Sequence, residues 1–250
     1  MNRGTAVITG ASSGIGAATA RELVAAGFEV VLGARRAERL ADLAEQLGEP
    51  ATYRRLDVTD LDSVGEFCDA VASCRVLVNC AGGAFGNDKV ADTDEERWRK
   101  MYESNVLGTL RMTKAILPKL VASGDGHVIT VGSVASFEPY AGGAGYNAAK
   151  YATRALMEVL RLELLGQPVR VSEIDPGMVE TEFSVVRFDG DAARAAAFYN
   201  GMTPLRADDV AECIAFIATR PSHVDVDQLV LRPRDQARVG VVHRRDPPTS

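Results

Sequence analysis

Short apolar, β-branched runs alternate along the chain with stretches whose apolar residues recur at helical spacing. The runs at 5–9, 29–34, 52–57, 76–79, 127–133, 170–175 and 228–231 read as strands. Helical periodicity covers 14–26, 37–47, 61–73, 95–123, 146–165 and 207–219, with an interruption near 105–108. This alternation predicts βαβ units, and hence an α/β Rossmann fold: a single domain with one seven-stranded parallel sheet. Right-handed crossovers put helices on both faces. Ligands of such sheets bind beyond the carboxyl ends of the strands, so the residues ending each run are the ones to read for chemistry.

Two stretches lack a clear period. Residues 183–203 fall where a lid over the substrate is expected. The tail 232–250 carries Arg232, Arg234, Arg238, Arg244 and Arg245 with Pro247 and Pro248. It reads either as a surface or subunit-contact segment or as an anion-binding arm.

The length of 250 residues and the 46% hydrophobic content suit one catalytic domain over 1–250 with a sizeable core. A formal net charge of -6 opposes binding to nucleic acid, so any anionic ligand must meet a local positive patch. No apolar run is long enough to span a membrane, and Met1 to Gly4 leave no room for a signal peptide, which predicts a cytoplasmic protein. Cys68, Cys74, Cys80 and Cys213 form no CxxC pair, and His127, His223 and His243 lie far apart. Reduced thiols and no metal site are expected.

The loop Gly10-Ala11-Ser12-Ser13-Gly14-Ile15-Gly16 follows the first strand and opens the first helix. Its glycines permit a tight turn that brings backbone N–H groups to a pyrophosphate at the positive helix end. Taken alone it could equally be a flexible strand-to-helix turn. At the end of the second strand, where an acidic residue would receive the ribose 2′-hydroxyl of NAD, the chain has Ala34, Arg35 and Arg36. An arginine fork there fits the 2′-phosphate of NADP, unless the pair merely opens a solvated helix. Asp57 and Val58 end the third strand and Asn79, Cys80, Ala81 and Gly82 the fourth, on the rim where an adenosine would lie. Each could also be a strand-end turn or helix cap.

Tyr146 and Lys150 stand four apart at a helix start, hence on one face, and Ser133 ends the preceding strand. A phenol of ordinary pKa ~10 must give up its proton near neutral pH, at a cost of ~4 kcal/mol. One ammonium ~4 Å away offsets about that much at an effective dielectric of ~20. Lys150, aided by the positive charge of an oxidised nicotinamide, could supply the shift. Ser133 would then hydrogen-bond the substrate oxygen while Tyr146 exchanges its proton. Tyr140 cannot take that role, because residue 144 is Ala.

These residues together resemble the short-chain dehydrogenases/reductases, of the subset whose basic residue after the second strand selects NADP. Gly10, Gly14 and Gly16, Asn79-x-Ala81-Gly82, Asn105, Ser133, Tyr146-(x)3-Lys150 and Pro176-Gly177 occur in that family's order and spacing over nearly the whole chain. The resemblance implies that Asn105 is a fourth catalytic residue, positioning a water in a proton relay from Tyr146 through the ribose and Lys150. It implies that Val179 and Thr181 bind the nicotinamide carboxamide, and that the enzyme is a homotetramer built on the helices around 95–123 and 146–165.

Closer likeness lies in Pro139-Tyr140-Ala141-Gly142-Gly143, in the run from Thr181 to Phe188, and in Pro221-Ser222-His223-Val224. These are similar to the NADP-dependent 3-hydroxy acid dehydrogenases acting on L-serine, L-allo-threonine and related short 3-hydroxy acids. The chain departs from that pattern in three places. Cys80 replaces a second Asn, the stretch from Val179 to Glu182 is about one residue shorter, and Glu138 stands where an aromatic residue is usual. Pointing inward, Glu138 would disfavour a carboxylate substrate. Arg187 could hold such a carboxylate, or be a lid arginine in solvent or at a subunit contact. Three readings follow: a dehydrogenase of short 3-hydroxy acids, a reductase of a bulkier aldehyde or ketone in secondary metabolism, and an NADP-sensing protein without turnover.

Overall fold

The computed structural model describes residues 2–245; Met1 and 246–250, with Pro247 and Pro248 of the basic tail, lie outside the described residues. The first half runs β1 (Thr5–Thr9), α1 (Gly14–Ala25), β2 (Glu29–Ala34), α2 (Ala37–Leu47), β3 (Ala51–Arg55), α3 (Leu61–Asp69), β4 (Val76–Asn79), α4 (Glu95–Tyr102) and α5 (Gly108–Ala122). The second runs β5 (Gly126–Val131), α6 (Ala144–Glu163), β6 (Val169–Pro176), β7 (Val179–Glu180), α7 (Glu182–Arg187), α8 (Ala192–Ala197), β8 (Leu205–Arg206), α9 (Ala207–Ala218) and β9 (Gln228–Leu231). A hairpin of β10 (Gln236–Arg238) and β11 (Val241–Val242) ends it.

Seven strands form one parallel sheet in the order β3-β2-β1-β4-β5-β6-β9. Strand order reverses between β1 and β4, which opens a crevice at their carboxyl ends. The two-residue period of the strands supplies two cores. Ala6 and Ile8 face Leu23 of α1, Leu40 of α2 and Ile214 of α9, while Val7 faces Phe67 of α3, Ile116 of α5 and Met157 of α6. Met112, Ile116 and Leu120, four apart along α5, are fully buried, and each such side chain contributes roughly 1.5–3 kcal/mol.

The interruption expected near 105–108 within the helical stretch 95–123 is a π turn, Glu103–Leu107, between α4 and α5. Two strand ends differ from the sequence expectation in ways that matter for chemistry. β5 stops at Val131, so Ser133 lies beyond the strand as the N-cap of a 3-10 turn at Val134–Ser136. β3 stops at Arg55, which leaves Asp57 in the following loop. The patternless stretch 183–203 holds α7 and α8, locked by edge-to-face contact of Phe188 with Phe198 at 6.0 Å. Among the described residues no helix is long and apolar enough to cross a membrane, and no cluster of His, Cys, Asp or Glu could hold a metal.

Near the amino edge of the sheet, His127 is fully buried, with Nε2 2.7 Å from Ser172 Oγ and Nδ1 without a partner. Burial, and then the charges of Arg170 and Arg75, hold its pKa down to about 3 against an ordinary 6.5. Between those values only the unfolded chain takes the proton, so stability falls as pH drops through the window, by about 1.4 kcal/mol per pH unit. Lowering the pH from 7 to 5 is therefore expected to cost the wild type about 2 kcal/mol more than His127→Asn. Groups common to both proteins cancel in that difference. Urea unfolding at the two pH values checks it, and equal losses would contradict it.

Candidate active site

Thr9 ends β1, and its Oγ1 accepts the N–H groups of Cys80 and Ala81 at 3.0 Å each, tying the ends of β1 and β4 together. Gly10 follows at φ +68, a left-handed turn that L side chains rarely adopt. The chain then enters α1 through Ser12 and Ser13, leaving the unpaired N–H groups of the helix start facing the cleft. The two hydroxyls accept from Arg36, Ser12 at 3.2 Å and Ser13 at 2.7 Å. Arg36 also pairs with Glu182 at 2.8 Å, and Arg39 pairs with the same carboxylate at 2.6 Å. Hydrogen bonds from Arg39 and then Arg36 hold Glu182 down to about 2. The opening of α7 is thus fastened across the glycine loop.

Arg35 lines the same cleft and has no hydrogen-bond or ion-pair partner among the described residues. The cleft measures about 1180 Å³. Gly10, Ser12, Ser13, Gly14 and Ile15 form its floor, Asp57, Val58, Ala81 and Gly82 the side towards β3 and β4, and Pro176, Gly177, Val179 and Thr181 the side towards β6. Asn79 and Gly16 are buried behind this lining, and Asn79 donates to Thr113 Oγ1 at 3.0 Å. Asp57 accepts from Thr59 N–H and Oγ1 at 3.0 and 2.8 Å. A free guanidinium, a helix start presenting N–H groups and a long groove are what a dinucleotide with a 2′-phosphate requires.

On the other half, α6 sets Tyr146 and Lys150 one turn apart. Lys150 is buried and donates to the Val131 carbonyl at 2.8 Å. Tyr146 stacks edge-on against Phe183 at 5.6 Å and hydrogen-bonds Ser133, whose Oγ also accepts from Ala135 N–H at 3.1 Å. Burial pushes the phenol up to about 12, against the Ser133 hydrogen bond and the charge of Arg187. Lys150 Nζ lies 5.8 Å from the Tyr146 ring centroid and donates to Val131. The charge of Arg187 also draws the phenol down.

Asn105 lies in the π turn, a device common at functional sites. Its Nδ2 donates to the Gly83 and Met101 carbonyls at 2.8 Å each, leaving a buried Oδ1 without partner beside Gly82. Its main-chain carbonyl accepts the hydroxyls of Thr109 at 2.8 Å and Thr153 at 3.1 Å. Thr153 was not singled out in the sequence, although Tyr146, Lys150 and Thr153 form one stripe along α6 at helical spacing.

The substrate end holds the main correction. Glu138 does not line the cleft; Arg232 Nη2 and Val239 N–H donate to its two oxygens at 2.9 and 2.8 Å. An acid at this position anchors the basic tail, and the β10–β11 hairpin walls the cleft with Val239 and Val242. Arg187 is 6% exposed, donating to Gly86 O at 3.1 Å and Asn87 Oδ1 at 2.7 Å. Its guanidinium lies 5.3 Å from the Tyr140 ring and has no carboxylate partner among the described residues. Tyr140, Tyr146, Ser133 and Arg187 line one end of the cleft together.

Residues 4–191 match the family model described as short chain dehydrogenase. An uncharacterized oxidoreductase of Mycobacterium tuberculosis is 62% identical over 232 residues, 93% of this chain and 92% of its own. The sulfoacetaldehyde reductase 2 of Chromohalobacter salexigens is 41% identical over 238 residues, 92% of this chain and 94% of its own. Among solved structures, the closed form of serine dehydrogenase complexed with NADP+ superposes with a TM-score of 0.91 at 36% identity, covering 96% of this chain and all of the other. The crevice at the sheet switch point, the helix-borne Tyr146 and Lys150, and these likenesses agree: the chain belongs to the short-chain dehydrogenase family of oxidoreductases.

Proposed function

We propose that this protein is a cytoplasmic NADP(H)-dependent enzyme that interconverts a short anionic alcohol, such as a 3-hydroxy acid, and its aldehyde or ketone. The observation that carries this reading is Arg187, a buried cation beside Tyr146 whose charge no carboxylate among the described residues answers. Leaving a buried guanidinium without a counter-ion is costly unless a ligand supplies one. Glu138 is held by the tail and does not line the cleft, so its charge does not oppose an anionic substrate. Relatives named for serine and for sulfoacetaldehyde, a carboxylate and a sulfonate, support the same charge.

Bound NADPH supplies the hydride. Arg35 is the residue offered to its 2′-phosphate, with Arg36, Ser12 and Ser13 beside it. Ser133 donates to the substrate oxygen and Tyr146 delivers the proton. A phenol held near 12 keeps that proton at neutral pH, which suits carbonyl reduction. Lys150 and Asn105 complete the proton path, and the segment 183–203, latched by Glu182, closes over the reactants. Leu110, Tyr151, Val159 and Leu162, exposed along α5 and α6, support a homotetramer packed on those helices. A bulkier carbonyl substrate finds some support in the apolar wall of Phe183, Val186, Phe198 and Val242.

Tyr146→Phe is expected to abolish turnover while NADP affinity stays within a few-fold; a wild-type rate would sink the mechanism. Arg35→Asp should shift the NADP/NAD ratio of kcat/KM towards NAD, and an unchanged ratio would place the 2′-phosphate elsewhere. Arg187→Ala should lower kcat/KM for L-serine, 3-hydroxypropionate or sulfoacetaldehyde by roughly 10- to 150-fold, the worth of a hydrogen bond to a charged group. Neutral aldehydes should lose far less. Equal losses on both would exclude Arg187 as the anion holder. Silence on every substrate in both directions, with cofactor binding retained, would favour a sensor.

A further inference from the structure

Behind Ser133 and Lys150 lie two acids that the reaction described above does not use. Glu173 and Asp175 stand two residues apart on β6, so their side chains share a face, and they are 3% and 0% exposed. Gly132, between β5 and Ser133, leaves room for both: a Cβ there would overlap a carboxyl oxygen of each. Asp175 Oδ1 accepts the Ser133 N–H at 2.8 Å and Oδ2 accepts Gln228 Nε2 at 2.6 Å. Glu173 Oε1 is buried without a partner. Lys150 and Arg154, from α6, and Asp175 on its own strand are the charged groups that face Glu173, while Cys80 faces Lys150.

Two carboxyls buried against each other retain one proton between them over a wide pH range. Charge balance requires the same. One carboxylate answers the buried ammonium of Lys150, whereas two would leave an excess buried anion and none would leave the cation unanswered.

We propose that Glu173 and Asp175 form a single-proton carboxyl pair whose members are positioning residues, fixing Ser133 through its main-chain N–H and setting the charge around Lys150. The inference rests on the roles given above to Ser133, Tyr146 and Lys150. Burial first, then the charge of Asp175 and a hydrogen bond to it, push Glu173 up to about 8. Above that pH a second carboxylate forms beside Lys150, offsets its positive charge and makes the Tyr146 phenol harder to ionise. Alcohol oxidation, which needs the phenolate, is then held back.

The first test needs no substrate. In protein labelled with carboxyl-13C glutamate, the resonance lost in Glu173→Gln should titrate near 8. In Asp175→Asn, with the neighbouring charge removed, it should titrate at distinctly lower pH. Titration of the wild-type Glu173 below about 6, or no movement in Asp175→Asn, would overturn the pair. The second test is the pH profile of alcohol oxidation. The ratio of kcat at pH 9 to kcat at pH 7 should be about 3- to 10-fold larger in Glu173→Gln than in the wild type, because the opposing charge no longer appears. An unchanged ratio would overturn the positioning role. Absence of turnover in the wild type would count against the reaction itself, and the titration would still decide the pair.

Discussion

The ammonium of Lys150 is buried between β5 and α6, and its bond to the Val131 carbonyl joins the helix that bears Tyr146 to the strand that leads to Ser133. A cation withdrawn from water at this depth must be answered locally, or its desolvation would outweigh the packing around it. The answer is distributed. A carbonyl takes one N–H, and Glu173 and Asp175 supply charge from the next strand. Asp175 in turn holds the Ser133 main chain. Ser133, Tyr146 and Lys150 thereby occupy one rigid junction of β5, β6 and α6, and the precision of the site comes from strands and a helix rather than from loops.

The layered architecture was legible because strand and helix periods differ so plainly: all seven strands of the main sheet appear where short apolar runs stand, and Tyr146 and Lys150 share a helical face by spacing alone. The elements missed are those whose stability is not periodic. α7 and α8 have six residues each, too few to show a helical stripe, and are held by Phe188 against Phe198 and by Glu182 against two arginines. Glu173 and Asp175 sit in a strand paired on both edges, where acidic residues give no sign that Gly132, just past the end of the next strand, leaves them space. Thr153 could have been found by extending the stripe of Tyr146 and Lys150 one turn further.

Glu138 illustrates how a local departure acquires meaning only through distant sequence. As a single position it exchanges an aromatic side chain for a negative charge. In the fold, Arg232 and the Val239 N–H, about a hundred residues away in sequence, take both of its oxygens. The charge is neutralised, the tail is anchored, and the apolar side chains of Val239 and Val242 furnish the wall instead.

A chain of net charge -6 can still gather polyanionic ligands because its cations are not spread evenly. Arg35, Arg36 and Arg39 cluster at one end of the cleft, and Arg187 and Arg244 line the other. A cleft with low-dielectric walls focuses such charges, so the field at its mouth is set by these few groups rather than by the sum over the surface. The two ends differ in what restrains them. Glu182 ties Arg36 and Arg39 to the start of α7, whereas Arg35 and Arg187 lack carboxylate partners among the described residues. An anionic group arriving at Arg187 meets a charge already withdrawn from water and oriented by Gly86 and Asn87, so binding there exchanges little protein structure for a full electrostatic contact, whereas Arg35 stands exposed at the other end.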